Sequence, residues 1–134
     1  MPGCALAGRA SEERMAVVLV VDDDADIREA LVEALEAEHV RAVGASSGRE
    51  ALRLLDQPGA PGLLLLDLRM LGMDGLGFLD ALAARPDRDA YRVILMSADR
   101  AVRQLEHAPG VVAVLQKPFE LTDLLVLIAR HAPQ

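Results

Sequence analysis

The chain of 134 residues is 52% hydrophobic and carries a net charge of −7, the size and apolar content of one domain that buries roughly two thirds of the surface its unfolded form exposes. Its single cysteine, Cys4, excludes a disulfide framework within the chain, and the acidic balance argues against a nucleic-acid-binding surface, which needs a clustered Lys/Arg excess. No stretch reaches the ~18 continuous apolar residues of a membrane span, and residues 1–14 lack the apolar core of a signal peptide, so the expectation is a cytoplasmic domain over residues 15–132 behind a flexible tail over residues 1–14.

Val17 to Val21 is a β-branched apolar run that ends in Asp22, Asp23 and Asp24, the pattern of a buried strand with an acidic carboxyl end. Ile27, Ala30, Leu31, Ala34 and Leu35 then recur at helical spacing, with Arg28, Glu29, Glu33 and Glu36 on the other face. This predicts an amphipathic helix ended near His39. Val40 to Ala45 reads as a weaker strand, and Ser47 with Glu50 forms a capping box for a helix from Gly48 to about Asp56.

A turn through Pro58, Gly59, Pro61 and Gly62 leads to four leucines, Leu63 to Leu66, that run straight into Asp67. An unbroken apolar run of this kind is a strand buried on both faces, as in a parallel sheet. After a loop closed by Gly72, Asp74 and Gly75, the stripe Leu76, Leu79, Leu82, Ala83 predicts a third helix up to Arg85 and Pro86. Tyr91 to Met96 is a fourth strand ending in Ser97, residues 100–108 a poor helix with few apolar anchors, and Val111 to Leu115 a fifth strand running into Gln116, Lys117 and Pro118. From Glu120 the chain is helical again to about His131. Five strand–helix repeats predict an α/β fold, a doubly wound parallel sheet with helices on both faces. The strong first, third, fourth and fifth strands are expected at its centre and the weak second at an edge.

In a parallel sheet the carboxyl ends of the strands converge on one rim, where such folds bind ligands. Asp22, Asp23, Asp67, Ser97 and Lys117 all fall there. Two like charges about 4 Å apart cost about 4 kcal/mol at an effective dielectric near 20, so three carboxylates call for a compensating cation or raised pKa values. Without a nearby His or Cys the hard Mg²⁺ is the expected one, and Zn²⁺ is disfavoured. Of the fourteen basic residues thirteen are Arg, which leaves Lys117 as the one Lys. A cation beside a carboxylate, with an ammonium and a hydroxyl opposite, suits a phosphoryl group. Asp67 then serves as nucleophile, the metal neutralises charge, Lys117 holds an oxygen as a point charge and Ser97 supplies a hydrogen bond. Taken singly, the same residues read as helix caps or solvated surface charges.

The segments VVDDDADIR, LDLRMLGMDG, MSA and QKPF, in this order and spacing, resemble the receiver domain of two-component response regulators (the CheY-like family) over about residues 16–131. The resemblance implies a flavodoxin-like sheet of order 2-1-3-4-5 with five helices. It implies Asp67 as phosphoacceptor, Asp22 and Asp23 as the acidic pair for Mg²⁺, the main-chain carbonyl of Arg69 as a further metal ligand, Ser97 as the switch hydroxyl and Lys117 as the phosphate-sensing lysine, followed by a cis peptide bond to Pro118. It also implies a phosphoryl donor, the phosphohistidine of a sensor histidine kinase or phosphotransfer protein, and a signalling module rather than a conventional enzyme. Asp24 is expected only to cap the first helix.

The chain departs from the family pattern in three places. Leu71 replaces a usual proline, Val114 stands where an aromatic residue commonly couples to the switch hydroxyl, and Arg69 and Asp99 occupy the flanking positions that tend to set the lifetime of the acyl phosphate. Two other classes share part of this chemistry or fold. A small Mg²⁺-dependent aspartyl-phosphate phosphohydrolase commonly carries a second Asp where Arg69 stands, and a flavin-binding carrier needs a Ser/Thr/Gly-rich phosphate loop where Asp22 to Asp24 stand. On the last helix, Leu121, Leu124, Leu125 and Ile128 form the buried stripe, and Val126 and Leu127 are expected to point outward. The face of fourth helix, fifth strand and last helix is therefore expected to bind an effector or a second copy of the chain.

Overall fold

The strand-forming runs pair as parallel neighbours. In the computed structural model, which describes residues 17–69 and 75–132, β1 (Val17–Val21), β2 (Arg41–Ala45), β3 (Leu63–Asp67), β4 (Arg92–Ser97) and β5 (Val111–Gln116) form one sheet of order β2-β1-β3-β4-β5. All four pairings are parallel. The helical positions between them are α1 (Ala25–Ala37), α2 (Gly48–Leu55), α3 (Gly75–Ala83), a 3-10 segment over Arg100–Leu105 and the last helix α4 (Leu121–His131), with one further 3-10 turn at Arg88–Ala90. The expected tail over residues 1–14 and the departure at Leu71 lie outside the described residues.

Period-two alternation sends the sheet's side chains to two cores. Leu19, Val21, Leu64, Leu66, Val93 and Leu95 face one way, against Phe78, Leu79 and Leu82 of α3, Ala51 and Leu55 of α2, and Val102. Val18, Val20, Leu63, Leu65, Ile94 and Met96 face the other, against Leu35 of α1 and Leu124 and Ile128 of α4. All four β3 leucines are fully buried, and each contributes about 1.5–3 kcal/mol of hydrophobic stabilisation. The strand that ends in Asp67 is thus the rigid middle of the sheet.

The apolar run of β5 reads as a central strand, but β5 lies at an edge, as the order 2-1-3-4-5 implies, and of its residues only Leu115 is buried. Its valines are half covered, because α4 and the 3-10 segment pack on it and, among the described residues, no strand pairs beyond it. The capping box is also shared differently. Glu50 N donates to Ser47 Oγ at 3.1 Å, but the Glu50 carboxylate accepts from the amide and hydroxyl of Ser46 at 2.6 and 3.0 Å rather than from Ser47.

The end of α1 near His39 follows a recognisable geometry. His39 N donates to Glu36 O and Val40 N to Leu35 O, the paired bonds of a Schellman motif. That motif needs a left-handed residue, and His39 takes it with φ 66°.

Candidate functional site

Four of the five strands, β1, β3, β4 and β5, deliver polar groups to the carboxyl rim, and local bonds aim them. Beyond β1, Asp22 is fully buried, and its Oδ1 accepts from Asp24 N at 2.9 Å. Asp24 turns away as the N-cap of α1, accepting from Asp26 N and Ile27 N. At the end of β3, Asp67 is buried, and its Oδ1 accepts from Arg69 N at 3.1 Å. The chain leaving Asp67 is pinned at Leu68, whose amide donates to Met96 O and whose carbonyl accepts from Gly75 N. Gly75 is required by this approach, since a Cβ there would stand 2.6 Å from Leu68 O.

Three carboxylates meet. Asp22, Asp23 and Asp67 each offer an oxygen within 4.8 Å of the others. Lys117 follows β5, and its Nζ lies 3.6 Å from Asp67 Oδ2. Ser97 ends β4 one residue beyond Met96, the register partner of Asp67. Its hydroxyl accepts from Asp99 N at 3.0 Å, and its carbonyl accepts from Lys117 N at 2.7 Å. The Lys117–Pro118 peptide bond is cis. Above the rim Arg69 Nη2 reaches Asp99 Oδ2 at 3.3 Å, joining the loops after β3 and β4.

The cluster suits a hard cation. Burial pushes the Asp22 carboxyl above the ordinary aspartate range. The Asp24 amide pulls it back, the Asp67 charge raises it, Lys117 lowers it and Asp23 raises it. Asp22 Oδ2 is buried, with no hydrogen-bond partner among the described residues. A buried carboxylate oxygen left unmatched, in a group that sits beside two further carboxylates, costs free energy unless a cation reaches it. An all-oxygen donor set of this kind fits Mg²⁺.

Sequence periodicity missed a surface beside the site. Of the α1 stripe only Leu35 is buried, and Ile27 is 41% exposed. Ile27, Ala30, Leu31 and Ala34 instead line an open, mostly apolar groove of about 640 Å³ whose other wall is Lys117, Pro118, Phe119 and Leu121. On α4, Val126 is 55% exposed, as expected, whereas Leu127 packs against the core. Among the described residues no helix is long and apolar enough to cross a membrane.

Fold and rim together define a class: a doubly wound α/β module of flavodoxin-like order, with an acidic cluster and a lysine gathered where β1, β3 and β5 stop. Residues 18–129 match the family model of the response regulator receiver domain, and the chain belongs to that family, the phosphorylation-dependent signalling modules of two-component systems. It is 39% identical over 121 residues to the response regulator protein FleR of Pseudomonas aeruginosa, covering 87% of this chain and 24% of that protein. It is 28% identical over 118 residues to sporulation initiation phosphotransferase F of Bacillus subtilis, covering 87% and 93% of the two chains. Among solved structures, a response regulator receiver protein from Pseudomonas putida is 36% identical with a TM-score of 0.76, covering 87% of this chain and 97% of its own. The chain spans about a quarter of the length of FleR and of the NtrC regulators it matches.

Proposed function

We propose that Asp67 accepts a phosphoryl group from a phosphohistidine of a sensor histidine kinase or phosphotransfer protein, and that residues 15–132 act as the resulting switch. The observation that carries this reading is the meeting of Asp22, Asp23 and Asp67 within 4.8 Å, with Lys117 Nζ 3.6 Å from Asp67 Oδ2.

An Asp67 carboxylate oxygen forms the new O–P bond as the donor's N–P bond breaks. The electron pair of that bond returns to the imidazole, which takes up a proton from solvent. Asp22, Asp23, Asp67 and the main-chain carbonyl of Arg69 would hold Mg²⁺, which would supply positive charge against the transferred oxygens. Lys117 exchanges its ion pair with Asp67 for one with a phosphoryl oxygen. The Ser97 hydroxyl, which accepts from Asp99 N, keeps its own hydrogen for another. Moving these two groups shifts the loops after β4 and β5, and with them the face formed by the 3-10 segment, β5 and α4 that meets an effector or a second copy. The half-buried Val114 packs against the core cluster that contains Val102, so transmission runs through movement of the 3-10 segment rather than an aromatic rotamer. The module turns over no substrate of its own.

The apolar groove of α1 and Pro118–Phe119 opens beside Lys117. It suits a helix of the phosphoryl donor laid against the rim, with apolar side chains in the groove and the histidine over Asp67.

The deciding experiment is intact-mass measurement after incubation with Mg²⁺ and acetyl phosphate or phosphoramidate. A single phosphoryl adduct in the wild type, absent from Asp67→Asn and without Mg²⁺, is expected. An undiminished adduct in Asp67→Asn overturns the assignment.

A further inference from the structure

Arg28 belongs by sequence to the solvent face of α1, with Glu29, Glu33 and Glu36. In the structure it turns back instead. Its Nη1 donates to the main-chain carbonyl of Asp22 at 2.9 Å. To get there its stem lies across β2 at Gly44, where a Cβ would stand 3.0 Å from Arg28 Cδ and 3.1 Å from Cγ. The Asp22 amide is held from the other side, donating to Ala45 O at 3.1 Å.

The carbonyl that Arg28 holds belongs to the peptide joining Asp22 to Asp23. Rotating that peptide plane re-aims the second carboxylate relative to the first. The Asp22 side chain is fixed by burial and by the Asp24 amide, so the plane of this peptide is one determinant of where Asp23 sits relative to it. We propose that Arg28 is a positioning residue that locks the Asp22–Asp23 peptide and so the relative aim of the two carboxylates, and that Gly44 serves the same device by leaving room for the Arg28 stem. The inference rests on the reading of the acidic cluster as a Mg²⁺ site. It adds a partner on α1 and one on β2, neither of which belongs to the acidic cluster. Groups that orient metal ligands from outside the coordination sphere commonly act in this way.

A charge effect alone has the opposite sign, which makes the role separable. Arg28 is a cation near a cation site, so removing it electrostatically would tighten Mg²⁺ binding. Losing a positioning bond weakens it. The experiment is a Mg²⁺ titration of the full chain followed by amide chemical shifts at residues 22–24 and 67, with melting temperature measured in parallel. Arg28→Met, which keeps the stem and loses the donor, is expected to weaken Mg²⁺ binding roughly tenfold with little change in melting temperature, and Arg28→Lys to recover most of the loss. Gly44→Ala, which leaves the guanidinium intact but crowds its stem, is expected to shift affinity in the same direction by less. Unchanged or tighter binding in Arg28→Met, or in Gly44→Ala should Arg28→Met not fold, overturns the proposal. A wild type with no Mg²⁺ response overturns the cluster reading as well.

Discussion

Lys117 Nζ stands 3.6 Å from Asp67 Oδ2, an ion pair between the ends of β5 and β3, two strands kept apart in the sheet by β4. It ties together residues fifty positions apart in sequence at the one edge where the acidic cluster needs positive charge. In the metal-free chain this ammonium competes for the carboxylate that a cation also uses.

Replacing Lys117 by Met is therefore expected to tighten Mg²⁺ binding by about fivefold, the equivalent of ~1 kcal/mol for a partly screened pair. The same change is expected to lower the metal-free melting temperature. With no tryptophan in the chain, amide chemical shifts are the suitable readout. Weaker Mg²⁺ binding in this variant would contradict the competition.

The Arg69–Asp99 pair is solvent-exposed, at 78% and 46% of its side chains, so it contributes little to stability. The Ala101 amide and then Arg69 hold the Asp99 carboxyl below the ordinary range, and the pair spans the loops above Asp67. Arg69→Ala is expected to leave the melting temperature unchanged and to shorten the lifetime of the phosphoryl adduct by admitting water. Adduct decay followed by mass spectrometry checks this, and an unaltered half-life would leave the pair without a role as a cover.

At the opposite pole Arg85 Nε donates to Asp87 Oδ1 and its Nη2 to Asp56 Oδ1, each at 2.9 Å, while its guanidinium lies 5.8 Å from the Tyr91 ring centre. The Tyr91 hydroxyl donates to Asp87 Oδ2 at 2.8 Å. These bonds, Arg85 first and Tyr91 next, hold the Asp87 carboxyl below its ordinary 3.8. A lowered carboxyl stabilises the fold above its unfolded value, and that stabilisation is lost as pH falls through the folded value. Asp87→Asn is expected to melt below the wild type at pH 7, with the gap closing as pH drops under 3.8. A gap independent of pH would count against the linkage.

His39 occupies the left-handed C′ position of α1. An L side chain there is strained and glycine is not, so His39→Gly is expected to add about 0.5–1 kcal/mol of stability, a rise of a few degrees in melting temperature, after the entropy cost of glycine. Denaturant unfolding checks it. The Mg²⁺ response should be untouched, because His39 lies at the end of α1 away from the acidic cluster.

The sequence by itself determined the sheet and the chemistry of its rim. Leu63 to Leu66 can satisfy their side chains only between two helical layers, and strands linked by helical crossovers run parallel, so Asp22, Asp23, Asp67, Ser97 and Lys117 had to end on the same side. The packing of long side chains and the extent of cover were decided in three dimensions. Helical periodicity marks Ile27, Ala30 and Leu31 as apolar but not how far the sheet and α4 reach over them, and the neighbours stop short and leave a groove. A run such as Val111 to Leu115 reports apolar surroundings without reporting whether a strand or a helix supplies them, and β5 proved to be an edge. Arg28 sits at a solvent-face position of α1, yet its long stem finds the gap over Gly44 and a strand-end carbonyl. No periodicity encodes that contact, because it joins a helix, an edge strand and a loop that meet only when the sheet has formed.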